Sequence, residues 1–331
     1  MNMKKNIALV AGGFTGEIVI SMKSAETVYK HLDKDKFEVF NIIIDKESWR
    51  YVGDDNQSII VDKNDFTINV DGKKIKFDAA FIIIHGSPGE DGKLQGYFDM
   101  LNIPYTTCDA ITSAITMNKA YTKSIIADIK DVHVAKSMQL FDDRIYTDDL
   151  ILSNLKLPLF IKPNNGGSSI GMSKVKEKAE LQDALKKAFN EDRQVLVEEF
   201  IEGREFTIGV VKMNNKINTL PSTEIVSSKE FFDFEAKYTT GVTEEITPGR
   251  MTEEEKQRVE SAMIEIYQRL NCAGVVRIDY ILENATNNMY VLEVNTVPGQ
   301  SQNSIIPQQV RAMGSNMTDF YGALLEEILP K

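Results

Sequence analysis

Apolar residues along the chain alternate between short continuous runs and helical stripes. Residues 7–10 form an apolar run that ends in Gly12-Gly13 and predicts a strand. Residues 17–32 follow at helical spacing, with Ile18, Met22, Ala25, Tyr29 and Leu32 on one stripe. Residues 37–44 and 77–84 predict two more strands, the second apolar enough to be buried on both faces. Between them, 58–76 reads as a polar hairpin turning at Val70-Asp71-Gly72. Asp109 is placed to cap a helix over 110–126. Strand, helix and strand in succession predict a parallel α/β sheet for the first third.

The remainder has a different rhythm. Strands are predicted over 157–162, 172–175, 194–201, 204–213 and 216–226, with a helix over 179–189 that sets Leu181, Leu185 and Ala188 on one face. Thr252 and Glu255 form a capping box ahead of a helix whose stripe is Val259, Met263, Ile266 and Leu270. Strands over 274–282 and 289–295 are joined by a turn at 284–288, an antiparallel hairpin. Two short helices, 305–313 and 319–328, close the chain. Antiparallel strands with interspersed helices make this part α+β.

A length of 331 residues suggests two or three domains, and 42% hydrophobic with 26% charged residues is an ordinary folded composition. The formal charge of −11 argues against a duplex nucleic-acid binder. No apolar run approaches the ~20 residues of a bilayer span. The opening Met-Asn-Met-Lys-Lys resembles a signal n-region, but the apolar run after it is too short for an h-region. Cys108 and Cys272 lack metal-like spacing and read as reduced packing thiols, so a cytoplasmic protein without membrane partners is expected.

Four constellations carry candidate chemistry. Lys162 ends a strand and is followed by Pro163-Asn164-Asn165-Gly166-Gly167-Ser168-Ser169-Ile170-Gly171. Small residues let backbone N–H groups approach an anion, and a strand-end lysine can hold a phosphate; a plain surface turn is the alternative. The second is Arg277-x-Asp279 on one strand and Glu293-x-Asn295 on its partner. Residues two apart share a face, so both pairs can converge on one patch suited to Mg²⁺. The strands are otherwise apolar, and a charged stripe within them is costly unless paired or metal-bound. The third is the strand and turn 195–205, whose Glu198, Glu199, Phe200 and Ile201 could line an adenine slot while Glu205 accepts from ribose hydroxyls. The fourth comprises two glycine-dense strand exits, Gly12–Glu17 by number 12–17 and the loop 85–92 that opens on His85.

Together these motifs resemble the D-alanine–D-alanine ligases of the ATP-grasp superfamily, nearly end to end. The resemblance rests on His85-Gly86-x-x-Gly89-Glu90-Asp91-Gly92-x-Leu94-Gln95-Gly96, Lys162-Pro163-x-x-x-Gly167-Ser168-Ser169-x-Gly171, Glu235-Ala236-Lys237-Tyr238, Arg277-x-Asp279 and Glu293-x-Asn295-Thr296-x-Pro298-Gly299. The family's Gly-Gly-x-Ser-x-Glu is here Gly12-Gly13-Phe14-Thr15-Gly16-Glu17, and its Arg-Glu-Val-Ser is Ile18-Val19-Ile20-Ser21. The resemblance implies a three-domain ATP-grasp fold: an N-terminal parallel α/β substrate domain (1–108), a central domain (109–201) and a C-terminal domain (202–331). It implies ligation of two D-alanines through D-alanyl phosphate, with ATP as substrate and two Mg²⁺ per site. Mn²⁺ as a substitute, K⁺ as an activator and a homodimer are also expected.

The resemblance also distributes roles. Lys119 and Lys162 match its phosphate-binding lysines, with Ser169, Glu198, Glu199, Phe200, Ile201, Glu205 and Lys237 completing the ATP site. Asp279, Glu293 and Asn295 match the metal ligands. Arg277 and the Gly299 N–H match an oxyanion-stabilising pair. Glu17 would hold the first D-alanine's ammonium, in a triad with Ser168 and Tyr238. Ser304 and Ile305 would receive the second substrate's carboxylate, and Ser21 and His85 belong to the same substrate region. Residues 227–244, with three phenylalanines and Tyr238 among charges, would form a lid. A D-alanine–D-lactate ligase and a scaffold without catalysis are the competing readings; Tyr238 argues against the first and the complete metal and arginine set against the second.

Overall fold

A computed structural model of the chain describes residues 4–53, 57–167, 170–227 and 243–330. The N-terminal part is a sheet in the order β4-β3-β2-β1-β7, built from β1 (Lys5–Gly12), β2 (Phe37–Ile44), β3 (Trp49–Val52), β4 (Ser58–Ile60) and β7 (Ala79–Ile82). β1 pairs in parallel with β2 and β7, whereas β3 and β4 add antiparallel. The expected 58–76 hairpin is smaller: β5 (Ile68–Val70) and β6 (Lys73–Ile75) pair around Asp71-Gly72, and β4 joins the main sheet instead. Both turn residues have positive φ, the backbone that favours Asp-Gly there.

β1 is apolar throughout because it feeds two cores. Ile7, Leu9 and Ala11 pack with α1 (Ile18–His31) and with the C-terminal helices, while Ala8 and Val10 pack on the opposite face with Leu94 and Phe98 of α2 (Lys93–Leu101). The α1 stripe read from the sequence is rotated. Ser21, Ser24, Ala25 and Val28 are buried, whereas Ile18 and Met22 stay 39% and 40% exposed. The two serines face inward because buried backbone groups bond them, and hydrophobic periodicity is blind to that demand.

The predicted 110–126 helix is two helices, α3 (Ala110–Met117) and α4 (Lys119–Ile126), each capped by a side chain, Asp109 onto Thr112 N and Asn118 onto Tyr121 N. β8 (Val132–His133) runs parallel beside the last strand of the C-terminal sheet, and Ile126, Ile129 and Val132 pack in that sheet's core. The central sheet has the order β11-β10-β12-β9, from β9 (Ser137–Phe141), β10 (Leu159–Pro163), β11 (Ser173–Val175) and β12 (Gln194–Glu199). The short helix α5 (Asp148–Asn154) and α6 (Leu181–Phe189) cover it, α6 burying Leu181, Ala184, Leu185 and Ala188.

The C-terminal sheet has the order β16-β15-β13-β17-β18-β8. It comprises β13 (Gly203–Met213), β15 (Thr223–Ser227), β16 (Thr243–Ile246), β17 (Val275–Glu283) and β18 (Met289–Asn295), with β14 (Lys216–Thr219) paired to β13. The single strand expected over 216–226 is thus broken at Leu220-Pro221-Ser222, where proline cannot donate to a ladder. α7 (Glu253–Arg269) lies on this sheet through Val259, Met263 and Ile266, as its spacing predicts. α8 (Ile305–Ala312) and α9 (Met317–Ile328) return to the N-terminal sheet, with Ile306, Val310, Phe320 and Leu324 in the core shared with β1. No helix of the described residues is long and apolar enough to cross a membrane.

The capping box of α7 is complete: Glu255 N donates to Thr252 Oγ1 (3.2 Å) and Thr252 N to Glu255 Oε2 (2.8 Å). Thr252→Ala is expected to cost about 1 kcal/mol of stability, read as a lower urea midpoint at unchanged m-value. An unchanged midpoint would mean that the cap contributes nothing.

Candidate active site

The β17–β18 ladder sets the acidic side of the site. Arg277 lies opposite Asn295 and Asp279 opposite Glu293, while the alternate residues Val276, Ile278 and Tyr280 fill the core beneath α7. Arg277 grips Asp279 with two bonds, Nε to Oδ1 and Nη2 to Oδ2, both 2.9 Å. Thr207 Oγ1 also donates to Asp279 Oδ1, and Asn295 Nδ2 to Oδ2 at 3.3 Å. Burial works against the Arg277 charge, but Asp279 and Glu293 outweigh it and raise its pKa, so it remains a guanidinium. Two carboxylates and a carboxamide on neighbouring strands make a donor set of hard oxygens, which fits Mg²⁺ or Mn²⁺.

Facing this ladder is a cluster of lysines. Lys162 Nζ pairs with Glu198 Oε2 at 2.7 Å, and Lys123 Nζ holds the other oxygen, Oε1, of the same carboxylate. One turn earlier on α4, Lys119 donates to Gly166 O (2.6 Å) in the glycine-serine loop and lies 3.3 Å from Glu293 Oε2. All three ammonium groups are buried. Burial first, and then the neighbouring like charges, push Lys123 and Lys162 below the ordinary lysine range. Three lysines thus share two carboxylates, Glu198 and Glu293.

The third wall comes from the N-terminal sheet. Gly86 has φ 67°, and a Cβ there would lie 3.0 Å from Glu17 Oε2; one on Gly167 would lie 3.7 Å from Oε1. The Glu17 carboxylate therefore sits between the His-Gly loop and the glycine-serine loop. Glu90 accepts from Gly86 N (2.7 Å) and Val297 N (3.1 Å), and burial pushes its carboxyl up to about 7. Gly299, Ser304 and Ile305 line the same side, and the hydroxyl groups of Ser304 and Ser301 are 2.7 Å apart.

These walls enclose one open cavity of about 2350 Å³, larger than the roughly 300–1,000 Å³ of a drug-sized site. Its lining brings together Glu17, His85, Lys119, Lys162, Glu198, Glu199, Phe200, Ile201, Glu205, Arg277, Asp279, Glu293, Asn295, Gly299, Ser304 and Ile305. Ser21 is placed elsewhere, behind the wall: its hydroxyl donates to Ile83 O (2.7 Å) and accepts from Gly12 N (3.0 Å), tying the ends of two strands together. The Glu198 carboxylate points at two lysines, while the chain beyond it, Glu199 to Ile201, lines the groove. Ser168, Ser169, Lys237 and Tyr238 lie outside the described residues, as does most of the expected lid; β15 and β16 pair on either side of it. Sequence reasoning missed Lys123, whose signal is its position four residues after Lys119 on one helix face, and Glu90, present in the His-Gly motif without a role.

A groove between the antiparallel central sheet and the mostly antiparallel C-terminal sheet, with lysines on one side and a metal-fitting acidic ladder on the other, fits the nucleotide-dependent ligases of the ATP-grasp class that the sequence motifs resemble. The "D-ala D-ala ligase N-terminus" family model matches residues 6–108 and the "D-ala D-ala ligase C-terminus" model residues 129–326. A D-alanine–D-alanine ligase of Parabacteroides distasonis is 44% identical over 327 residues, 99% of this chain and 98% of that protein. Among solved structures, a D-Ala:D-Ser ligase of Enterococcus faecalis superimposes with a TM-score of 0.87 at 30% identity, covering 98% of this chain and 99% of that one. A D-alanine–D-alanine ligase of Bacillus anthracis complexed with ATP superimposes with a TM-score of 0.77 at 28% identity, covering 97% and 96%. The chain belongs to the D-alanine–D-alanine ligase family.

The charge balance around Glu198 yields a test. Lys123→Met leaves Glu198 to Lys162 alone and removes one of its two partners. The KM for ATP is expected to rise about tenfold or more, equivalent to at least about 1.4 kcal/mol, with the KM for D-alanine little changed. An unchanged KM for ATP would show that Lys123 does not act on nucleotide binding.

Proposed function

We propose that this chain joins two D-alanines into D-alanyl-D-alanine at the expense of ATP, in the groove and with the residues described above. The product is a precursor unit for peptidoglycan. The observation that carries the reading is the acidic β17–β18 ladder opposite Lys119, Lys123 and Lys162, in a cavity with room for a nucleotide and two amino acids.

A carboxylate is a poor acyl donor, so the first step converts it to a better one. An oxygen of the first D-alanine attacks the γ-phosphorus, the bond to ADP breaks, and D-alanyl phosphate forms. Such a transfer needs positioning and charge neutralisation more than covalent help from the protein. Lys119 and Lys162 supply cations to the phosphates, and Glu198, shared with Lys123, orients Lys162. Asp279, Glu293 and Asn295 would hold Mg²⁺, which when bound neutralises phosphate oxygens. Glu17 takes the ammonium of the first substrate, and Ser304 with Ile305 the carboxylate of the second. The amine of the second D-alanine attacks the acyl carbon. Arg277 and Gly299 N–H stabilise the oxyanion; phosphate leaves with the former carboxylate oxygen, and the amine releases a proton. By the family resemblance Ser168 and Tyr238 would act with Glu17, and Ser169 and Lys237 would bind the nucleotide. Two Mg²⁺ per site, Mn²⁺ as substitute, K⁺ activation, a homodimer and a cytoplasmic location complete the reading.

The test is ATP-dependent dipeptide formation. D-alanine supplied with equal D-serine and D-lactate is expected to give chiefly D-alanyl-D-alanine on chromatography, and a majority of the serine product or of depsipeptide would overturn the second-substrate reading. Asp279→Asn and Glu293→Gln are expected to cut turnover by about a hundredfold or more with folding intact, because each loses several kcal/mol of charge stabilisation. Near-wild-type turnover of both at saturating Mg²⁺ would remove the metal assignment.

A further inference from the structure

The segment after β18 carries Gly299 and is held at both ends by groups of the N-terminal α/β part, His85 in the loop after β7 and Ser24 on α1. Val297 O accepts from His85 Nδ1 at 2.7 Å. A carbonyl only accepts, so Nδ1 bears the hydrogen, and in the neutral ring Nε2 keeps its lone pair. Ser24 Oγ lies 3.4 Å from that Nε2 and accepts from Gln300 N at 3.1 Å. The bonds therefore run in one direction: Gln300 N–H to Ser24, Ser24 O–H to His85, His85 N–H to Val297. Ser24 is fully buried, and His85 and Gln300 are 6% and 2% exposed, so water does not compete. Further ties act on the same segment: Glu90 accepts from Val297 N, and Gln300 Nε2 donates to Pro298 O at 3.3 Å. Between the fixed points lies Gly299, so close to the second-substrate side that a Cβ would meet Ser304 Oγ at 2.9 Å.

An N–H that stabilises a developing oxyanion must be aimed before the reaction, since reorientation during it costs the benefit. We propose that Ser24 is a positioning residue that aims the Gly299 N–H by joining Gln300 to His85, and that His85 acts through Val297 rather than on substrate. This rests on the reading of Gly299 as an oxyanion donor in dipeptide synthesis. Its consequence is selective: the donor serves amine attack on the acyl carbon, whereas phosphoryl transfer depends on the lysines and the acidic ladder. Ser24 therefore governs the second step and leaves the first alone.

Two rates separate the steps in the full-length enzyme. Scrambling of a bridging oxygen-18 label in ATP, with D-alanine present, reports reversible acyl-phosphate formation; dipeptide release reports the whole reaction. Ser24→Ala is expected to lower dipeptide formation about tenfold or more, while scrambling falls by less than about twofold and phosphate released per dipeptide rises as acyl phosphate is lost to water. Ser24→Thr, which keeps the hydroxyl, is expected to restore both ratios. If Ser24→Ala is too unstable to purify, Ser24→Cys, a weaker donor and acceptor, is expected to shift the ratios in the same direction. Scrambling and dipeptide formation that fall together, or that both stay at wild-type values, overturn the role of Ser24. A wild-type enzyme that makes no dipeptide overturns the underlying reading and this proposal with it; one that ligates normally confines any failure to Ser24.

Discussion

Asp279 and Glu293 face each other directly across two hydrogen-bonded strands, a pairing that like-charge repulsion opposes. What offsets it organises the rest of the site. Arg277, two residues along the same strand face, clamps Asp279 with both arms, and Lys119 reaches Glu293 from the end of α4. The α3–α4 break at Asn118 is what places Lys119 there: Asn118 caps α4, and Lys119 N donates to Asn164 O at the start of the glycine-serine loop. Lys119 Nζ also holds Gly166 O, so the loop, the helix and the acidic ladder are set by one side chain. Arg277 and Lys119 therefore carry much of the compensation for the two facing carboxylates.

The same logic explains why so many charges are buried on one side of a groove. Lys123 and Lys162 share the one carboxylate of Glu198, and on the proposed function an anionic substrate completes the cluster. On that proposal stability and function pull in opposite directions: an apolar cluster would cost less to bury, yet it could not accept a polyphosphate. The N-terminal α/β part adds the third wall through hydrogen bonds from α1 and the His-Gly loop. Ser21, Ser24, His85 and Glu90 all bond backbone atoms, and through them β1, the His-Gly loop and the Val297–Gly299 stretch (297–299) share one frame.

Much of this was readable in the chain. Strand periodicity located β2 to the residue, and the spacing of two in Arg277-x-Asp279 and Glu293-x-Asn295 placed both pairs on one face before any register was known. What could not be read depends on partners distant in sequence. Lys123 meets Glu198 75 residues away, and nothing local distinguishes it from a surface lysine. The α1 stripe was misplaced because Ile18 and Met22 outrank two serines on any hydrophobic scale, although backbone groups around Ser21 and Ser24 demand the serines inside. The break at Asn118 and the one at Pro221 were missed for a related reason: a cap and a strand end are single-residue events inside otherwise continuous patterns.

The proposed reaction requires that a carboxylate be activated by phosphorylation before a bond to nitrogen forms. It is tested most directly by following the carboxylate oxygens. With D-alanine labelled at both carboxylate oxygens by oxygen-18, one labelled oxygen per turnover should appear in the released inorganic phosphate, and the new peptide bond should keep the other. Unlabelled phosphate accompanied by normal dipeptide formation would exclude an acyl phosphate.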